Sequence, residues 1–76
     1  MKIVDLLNRL KWDDAYDFEK VKIYYEERVN KAAFLTGREI KKIGEKFLET
    51  ERGYIPLHRI RKIEYEDEIL WLPHSS

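Results

Sequence analysis

Cysteine is absent from these 76 residues, so a disulfide, a thiolate zinc site and a cysteine nucleophile are all excluded and the fold must hold by packing. Glutamine is missing too, and asparagine occurs only as Asn8 and Asn30. Charged residues meanwhile reach 39%, a preference for Lys, Glu and Arg over thermolabile amides that points to a thermophilic source. No apolar run approaches the roughly 20 residues of a membrane span. The start, Met1-Lys2-Ile3-Val4-Asp5, has charges within its apolar segment and no small-residue cleavage site, unlike a signal peptide. The expectation is a soluble, cytoplasmic chain with no membrane partner.

What is present suits one small domain over residues 1–76. Hydrophobic residues at 43% and aromatics at 13% suffice for a single core, although a chain this short hides only about 60% of its extended surface. Fifteen basic residues balance fifteen acidic ones, so the overall positive field of a protein that coats duplex nucleic acid is lacking and DNA is not an expected partner. Charge is nonetheless uneven. Asp13, Asp14, Asp17 and Glu19 outweigh Lys20 before the first strand, whereas Arg59, Arg61 and Lys62 gather after His58. Four acids follow at once, Glu64, Glu66, Asp67 and Glu68, and cross-strand neutralisation accounts for this pattern as well as a binding patch does.

Ile3, Leu6, Leu7 and Leu10 recur at helical spacing, with Asp5 near the start and Arg9 and Lys11 near the end, which predicts a helix over about Lys2 to Lys11. A polar connector follows, pinned at its ends by Trp12 and Phe18. Val21, Ile23 and Tyr25 alternate with Lys22, Tyr24 and Glu26 as in a half-buried strand, placing Arg28 on the polar face with Tyr24. Asn30-Lys31 reads as a turn into a strand from Ala32 to Leu35. Thr36-Gly37-Arg38-Glu39 matches a capping box and Gly44 suits a left-handed C′ position, which predicts a short second helix over Gly37 to Ile43. Phe47-Leu48 and Tyr54-Ile55 flank a Glu51-Arg52-Gly53 turn. Ile60 and Ile63 lie three apart, out of strand register, so a bulge or single helical turn is expected after Arg59. A last hairpin spans Lys62 to Leu72, turning at Glu66-Asp67, with Ile63, Tyr65, Ile69 and Trp71 as its buried face and Pro73 to Ser76 as a frayed tail. The fold class is α+β: an antiparallel sheet of four to five strands, an N-terminal helix packed on one face, and a second short helix.

The most informative stretch is Ile55-Pro56-Leu57-His58-Arg59-Ile60, which sets the internal histidine beside an arginine just after a proline-stiffened step. An imidazole that can donate, accept or change charge and a permanent guanidinium fork together suit an anion. A structural histidine and a surface ion-pair arginine would leave the same trace.

Three patches, Ile3 to Asp13, Tyr24-Tyr25-Glu26-Glu27-Arg28, and Ile55 to Ile60 followed by Leu70-Trp71, resemble in order the family known as domain of unknown function 504, or uncharacterised protein family 0248. It is also described as the RNA cyclic-group end-recognition domain. The Pro-x-His-Arg-Ile segment and its distance from Trp71 carry most of the likeness. Where the family usually has an Asp-Arg pair this chain has Glu27-Arg28, an acid one methylene longer. The resemblance implies a non-catalytic module that binds single-stranded RNA ends carrying a 2′,3′-cyclic phosphate, alongside RNA-processing or repair proteins.

A cyclic phosphate spreads one negative charge over two free oxygens, which Arg59 or Arg28 can grip while His58 donates a further hydrogen bond. Tyr24, on the polar face, or Trp12 would stack a base, whereas Trp71, Phe34, Phe47 and Tyr65 are assigned to the core. Catalysis is less well served. Opening a cyclic phosphate with two histidines would recruit His74 from the tail to meet His58, and Thr36, Thr50, Ser75 and Ser76 lie in no nucleophile motif. Asp13, Asp14 and Asp17 lack the glycine and distal glutamate of a calcium loop, so no metal or cofactor is expected. The competing class is a protein-interaction module, which an acidic surface and exposed strand edges would also suit.

Overall fold

Apolar spacing of three and four makes the first element a helix, α1 (Ile3–Trp12), and buries its Leu7 and Leu10 side chains completely. The computed structural model describes residues 2–73, so His74 and the rest of the expected tail beyond Pro73 lie outside the described residues. Lys2 provides the first carbonyl, accepting from the Asp5 and Leu6 amides, and no side chain caps the helix. The C-terminus stops at Asp13, whose backbone is extended and whose carboxylate accepts the Ala15 amide at 2.9 Å, a local turn that competes with helix. Trp12 does not pin the connector: it is 75% exposed, because it falls on the helix face opposite Leu7 and Leu10. Phe18 does pack against the core, and Tyr16 meets the Tyr65 ring edge-on at 5.0 Å.

Seven strands follow among the described residues, β1 (Val21–Arg28), β2 (Lys31–Thr36), β3 (Ile40–Ile43), β4 (Phe47–Thr50), β5 (Gly53–Pro56), β6 (Ile60–Tyr65) and β7 (Glu68–Trp71). They form two antiparallel sheets, one of four strands in the order β2-β1-β6-β7 and one of three in the order β3-β4-β5. The α+β class holds. The strands beyond one four-stranded sheet come from the segment read as a second helix, and from the hairpin after it.

That segment makes only one 3-10 turn, Gly37–Glu39, closed by the Thr36 amide donating to the Glu39 carboxylate at 3.1 Å. Chain geometry then becomes extended, with Ile40 paired to Thr50 and Ile43 to Leu48. The register slips between Ile40 and Lys42, so one extra residue restores both isoleucines to the inner side despite their spacing of three. Gly44 is accordingly not a helix C′ residue; its amide donates to the Phe47 carbonyl at 2.9 Å as β3 passes into β4. The same device acts twice more. Tyr24 faces Lys62 and Tyr25 faces Ile60, so a bulge at Arg61 lets both Ile60 and Ile63 bury, as the spacing predicts. Ile63 faces Trp71 and Glu64 faces Ile69, so a bulge at Leu70 turns Ile69 outward to 50% exposure and lets Leu70 pack on the core instead.

One core joins α1 to both sheets: Leu7 and Leu10 meet Val21, Ile23, Leu35, Leu48, Ile55, Leu57, Ile60 and Ile63. Full burial stabilises each such side chain by roughly 1.5–3 kcal/mol relative to exposure. Phe34 and Phe47, expected inside, are about half exposed, because each alternates with a buried neighbour, Leu35 or Leu48, on its strand. Geometry requires glycine at two turns in particular. A side chain at Gly37 would collide with the Phe18 carbonyl, where a 3-10 turn over Phe18–Lys20 packs on the Gly37–Glu39 turn, and Gly53, entering β5 from the β4–β5 turn, has a φ of 105°. The first hairpin turns at Val29-Asn30, one residue earlier than expected, with Asn30 in the left-handed region at φ 62° and Lys31 already in β2. No described helix is long and apolar enough to cross a membrane.

Candidate functional site

Pro56 ends β5 with φ −61° opposite Phe47, and the chain then makes a single 3-10 turn, Leu57–Arg59, before β6. Leu57 anchors that turn: its side chain is buried and its amide donates to the Lys46 carbonyl at 2.9 Å. With about three residues per turn, successive side chains splay by roughly a third of a circle. His58 and Arg59, neighbours in sequence, therefore leave the turn in different directions.

Arg59 lines a groove of about 200 Å³ between the end of β1 and β5, whose walls include Tyr25, Arg52, Tyr54 and Pro56 with Glu26 and Glu27. Its guanidinium makes one long contact, to the Glu27 carbonyl at 3.4 Å, and takes part in no ion pair among the described residues. Arg52 enters from the β4–β5 turn and is held firmly, donating from Nε to Glu39 at 2.9 Å and from Nη1 to the Phe34 carbonyl at 3.2 Å. The Tyr25 hydroxyl beside it, and then the Glu39 carboxylate, raise its pKa above the ordinary arginine value, so its charge is permanent. The two carboxylates in the wall have partners elsewhere, Glu26 with Arg61 at 3.9 Å and Glu27 with Lys31 at 4.0 Å. The Arg59 fork, without an acid partner among the described residues, thus shares one small opening with the Arg52, Tyr25 and Tyr54 side chains as well as Glu26 and Glu27, and such a free planar fork suits a compact anion.

His58 lines two neighbouring grooves instead, one with Phe47, Lys46 and Pro56, the other with Val4, Ile60 and Trp71. Its carbonyl accepts from Arg61 at 2.9 Å. Arg28 is exposed at the end of β1, paired with Lys31 and next to Glu27, and is not among the residues lining the Arg59 groove. Tyr24 lies half-buried on the outer face of the four-stranded sheet, its ring 5.5 Å from Phe34 with the Lys62 ammonium 4.3 Å above it and its hydroxyl 3.4 Å from Glu64. Trp12 stands apart at the end of α1 with Lys11 5.5 Å from its ring. The structure brings Arg59 together with Arg52, Tyr25 and Tyr54, three residues the sequence reading did not select. Tyr54 could have been found, since it alternates with the buried Ile55 and must face outward. Arg52 looked like an ordinary turn residue, and only the approach of β5 to β1 reveals where its side chain reaches. No group of three or more His, Asp or Glu converges as a metal site among the described residues.

This arrangement sits on a chain whose residues 1–72 match the family model of the MJ1316 RNA cyclic group end recognition domain. The chain belongs to that family. It is also 36% identical over 66 residues to a UPF0248 protein of Archaeoglobus fulgidus, a match covering 86% of this chain and 96% of the relative. No solved structure matches.

Proposed function

We propose that this chain binds single-stranded RNA ends carrying a 2′,3′-cyclic phosphate, without turning them over, and that the phosphate sits in the Arg52–Arg59 groove. One observation carries the reading: Arg59, with no carboxylate partner among the described residues, shares a groove of about 200 Å³ with a second, rigidly held arginine. The family's description supports RNA as the partner.

A cyclic phosphate offers two oxygens and a single negative charge, which one planar fork can grip in bidentate fashion while a tyrosine hydroxyl donates alongside. Arg28, the exposed residue that follows Glu27 at the end of β1, adds positive charge that attracts the RNA backbone without entering the groove. The imidazole of His58 stands over the neighbouring grooves and not over this seat, which favours holding the end over cleaving its ring.

The test compares oligonucleotides identical except at the 3′ end. An RNA ending in a 2′,3′-cyclic phosphate should bind tighter than the same RNA ending in a hydroxyl, and Arg59→Ala should erase most of the difference. Loss of one charge-assisted partner typically costs roughly 1.5–3 kcal/mol, a factor of about ten or more. Equal affinity for the two ends rejects the proposal, and conversion of the cyclic end during the assay makes the protein an enzyme.

A further inference from the structure

The outer face of the three-stranded sheet is unusually aromatic for an exposed surface. Tyr54 is 71% exposed and Phe47 49%, their rings edge-to-face at 6.4 Å, while the alternating Leu48 and Ile55 hold the other face in the core. Among the described residues no cation lies over either ring, in contrast to Tyr24 under Lys62 on the other sheet. Position makes the pair more than a stray patch. Tyr54 lines both the Arg52–Arg59 groove and a second groove of about 260 Å³ that contains Phe47, Lys42 and Lys46. Phe47 and Lys46 in turn line a third groove of about 340 Å³ that reaches His58. The grooves are therefore consecutive, each sharing a wall residue with the next.

Two lysines flank that path. Lys42 and Lys46 line the second groove together with Glu45 and Glu49, and Lys46 lines the third with Glu45, so the grooves balance acids against lysines. Lys42 and Lys46 take part in no ion pair among the described residues.

We infer that this face is a track for the single-stranded RNA leading to the bound end, with Tyr54 and Phe47 stacking the bases that precede it and Lys42 and Lys46 meeting their phosphates. The inference rests on the end-binding reading above. Stacking on an exposed ring tolerates any base, because every base has a π face, and flanking lysines track the backbone in the same way. His58, in the third groove, offers one more ring and a hydrogen-bond donor.

The experiment titrates the protein, at one salt concentration, with adenosine 2′,3′-cyclic monophosphate and with an adenosine tetranucleotide ending in the same group. The tetranucleotide should bind roughly tenfold tighter or more, as stacking of one or two bases provides. Phe47→Ala should remove most of that advantage and leave the mononucleotide affinity unchanged, since Phe47 does not line the arginine groove, and Phe47→Tyr should retain it. Equal affinity of the two ligands overturns the inference. So does a length advantage that survives Phe47→Ala, or a loss shared equally by both ligands. A tetranucleotide ending in a hydroxyl separates the two readings: if it binds as tightly as the cyclic form yet still depends on Phe47, end recognition fails and the track stands. Absence of binding by every RNA overturns both.

Discussion

On the four-stranded sheet the outward-facing groups satisfy one another. Lys62 lies over Tyr24 and pairs with Glu64 at 3.7 Å, Tyr24 reaches the same Glu64, and Arg61 pairs with Glu26. On the three-stranded sheet the equivalent groups are left open: Phe47 and Tyr54 touch only each other among aromatic rings, and Lys42 and Lys46 have no carboxylate within ion-pair distance among the described residues. Both sheets share one core and both expose aromatics, so burial alone does not separate a structural face from a binding one. What separates them is whether the chemistry is already used within the molecule. An exposed ion pair contributes only about 0–1 kcal/mol to stability, so such pairs on the first sheet matter less for holding the fold than for leaving nothing to offer a ligand.

The sharpest way to break this comparison is to damage the two regions separately. Ile63→Ala, in the core of the four-stranded sheet, should destabilise the protein by about 2–5 kcal/mol in urea unfolding, because the methylenes are lost and a cavity remains. Gly37→Ala should cost about 1–3 kcal/mol by forcing the Phe18 turn to move, with RNA selectivity retained in the folded fraction. Arg59→Ala should do the reverse: unfolding free energy within about 0.5 kcal/mol of the parent, as for most surface changes, and preference for a cyclic end largely gone. Lys62→Ala, on the satisfied face, should change both stability and RNA affinity least, with binding altered only through long-range charge that disappears at high salt. Loss of end selectivity in Lys62→Ala with retention in Arg59→Ala would invert the assignment of the two sheets.

Elements governed by local pattern were legible in the sequence: α1 from its apolar spacing, β1 from strict alternation, the Gly53 and Glu66-Asp67 turns from their residue types. Ile60 and Ile63 were correctly read as flanking an irregularity. The second helix was expected from the Thr36 capping box and Gly44; the capping contact forms, but it closes only a 3-10 turn, and strand pairing then takes Ile40 to Ile43. A capping box marks where a helical turn starts and carries no information on how far it runs. Burial of Phe34 and Phe47 was expected from hydrophobicity, but period two places them opposite Leu35 and Leu48. For the candidate groove, Arg59 was singled out in the sequence beside its proline. Its companions Arg52 and Tyr25 were not, because they come from separate hairpins brought together only by tertiary packing.

The most direct test of the account is amide chemical-shift mapping of isotopically labelled protein titrated with a nucleoside 2′,3′-cyclic monophosphate. Progressive shifts are expected at Glu26, Glu27, Arg52, Tyr54 and Leu57 to Arg59, around the groove between β1 and β5, with the amides of Lys22, Lys62 and Glu64 on the satisfied sheet face unmoved. Shifts centred on that sheet face or on Trp12, or none at millimolar ligand, would contradict it.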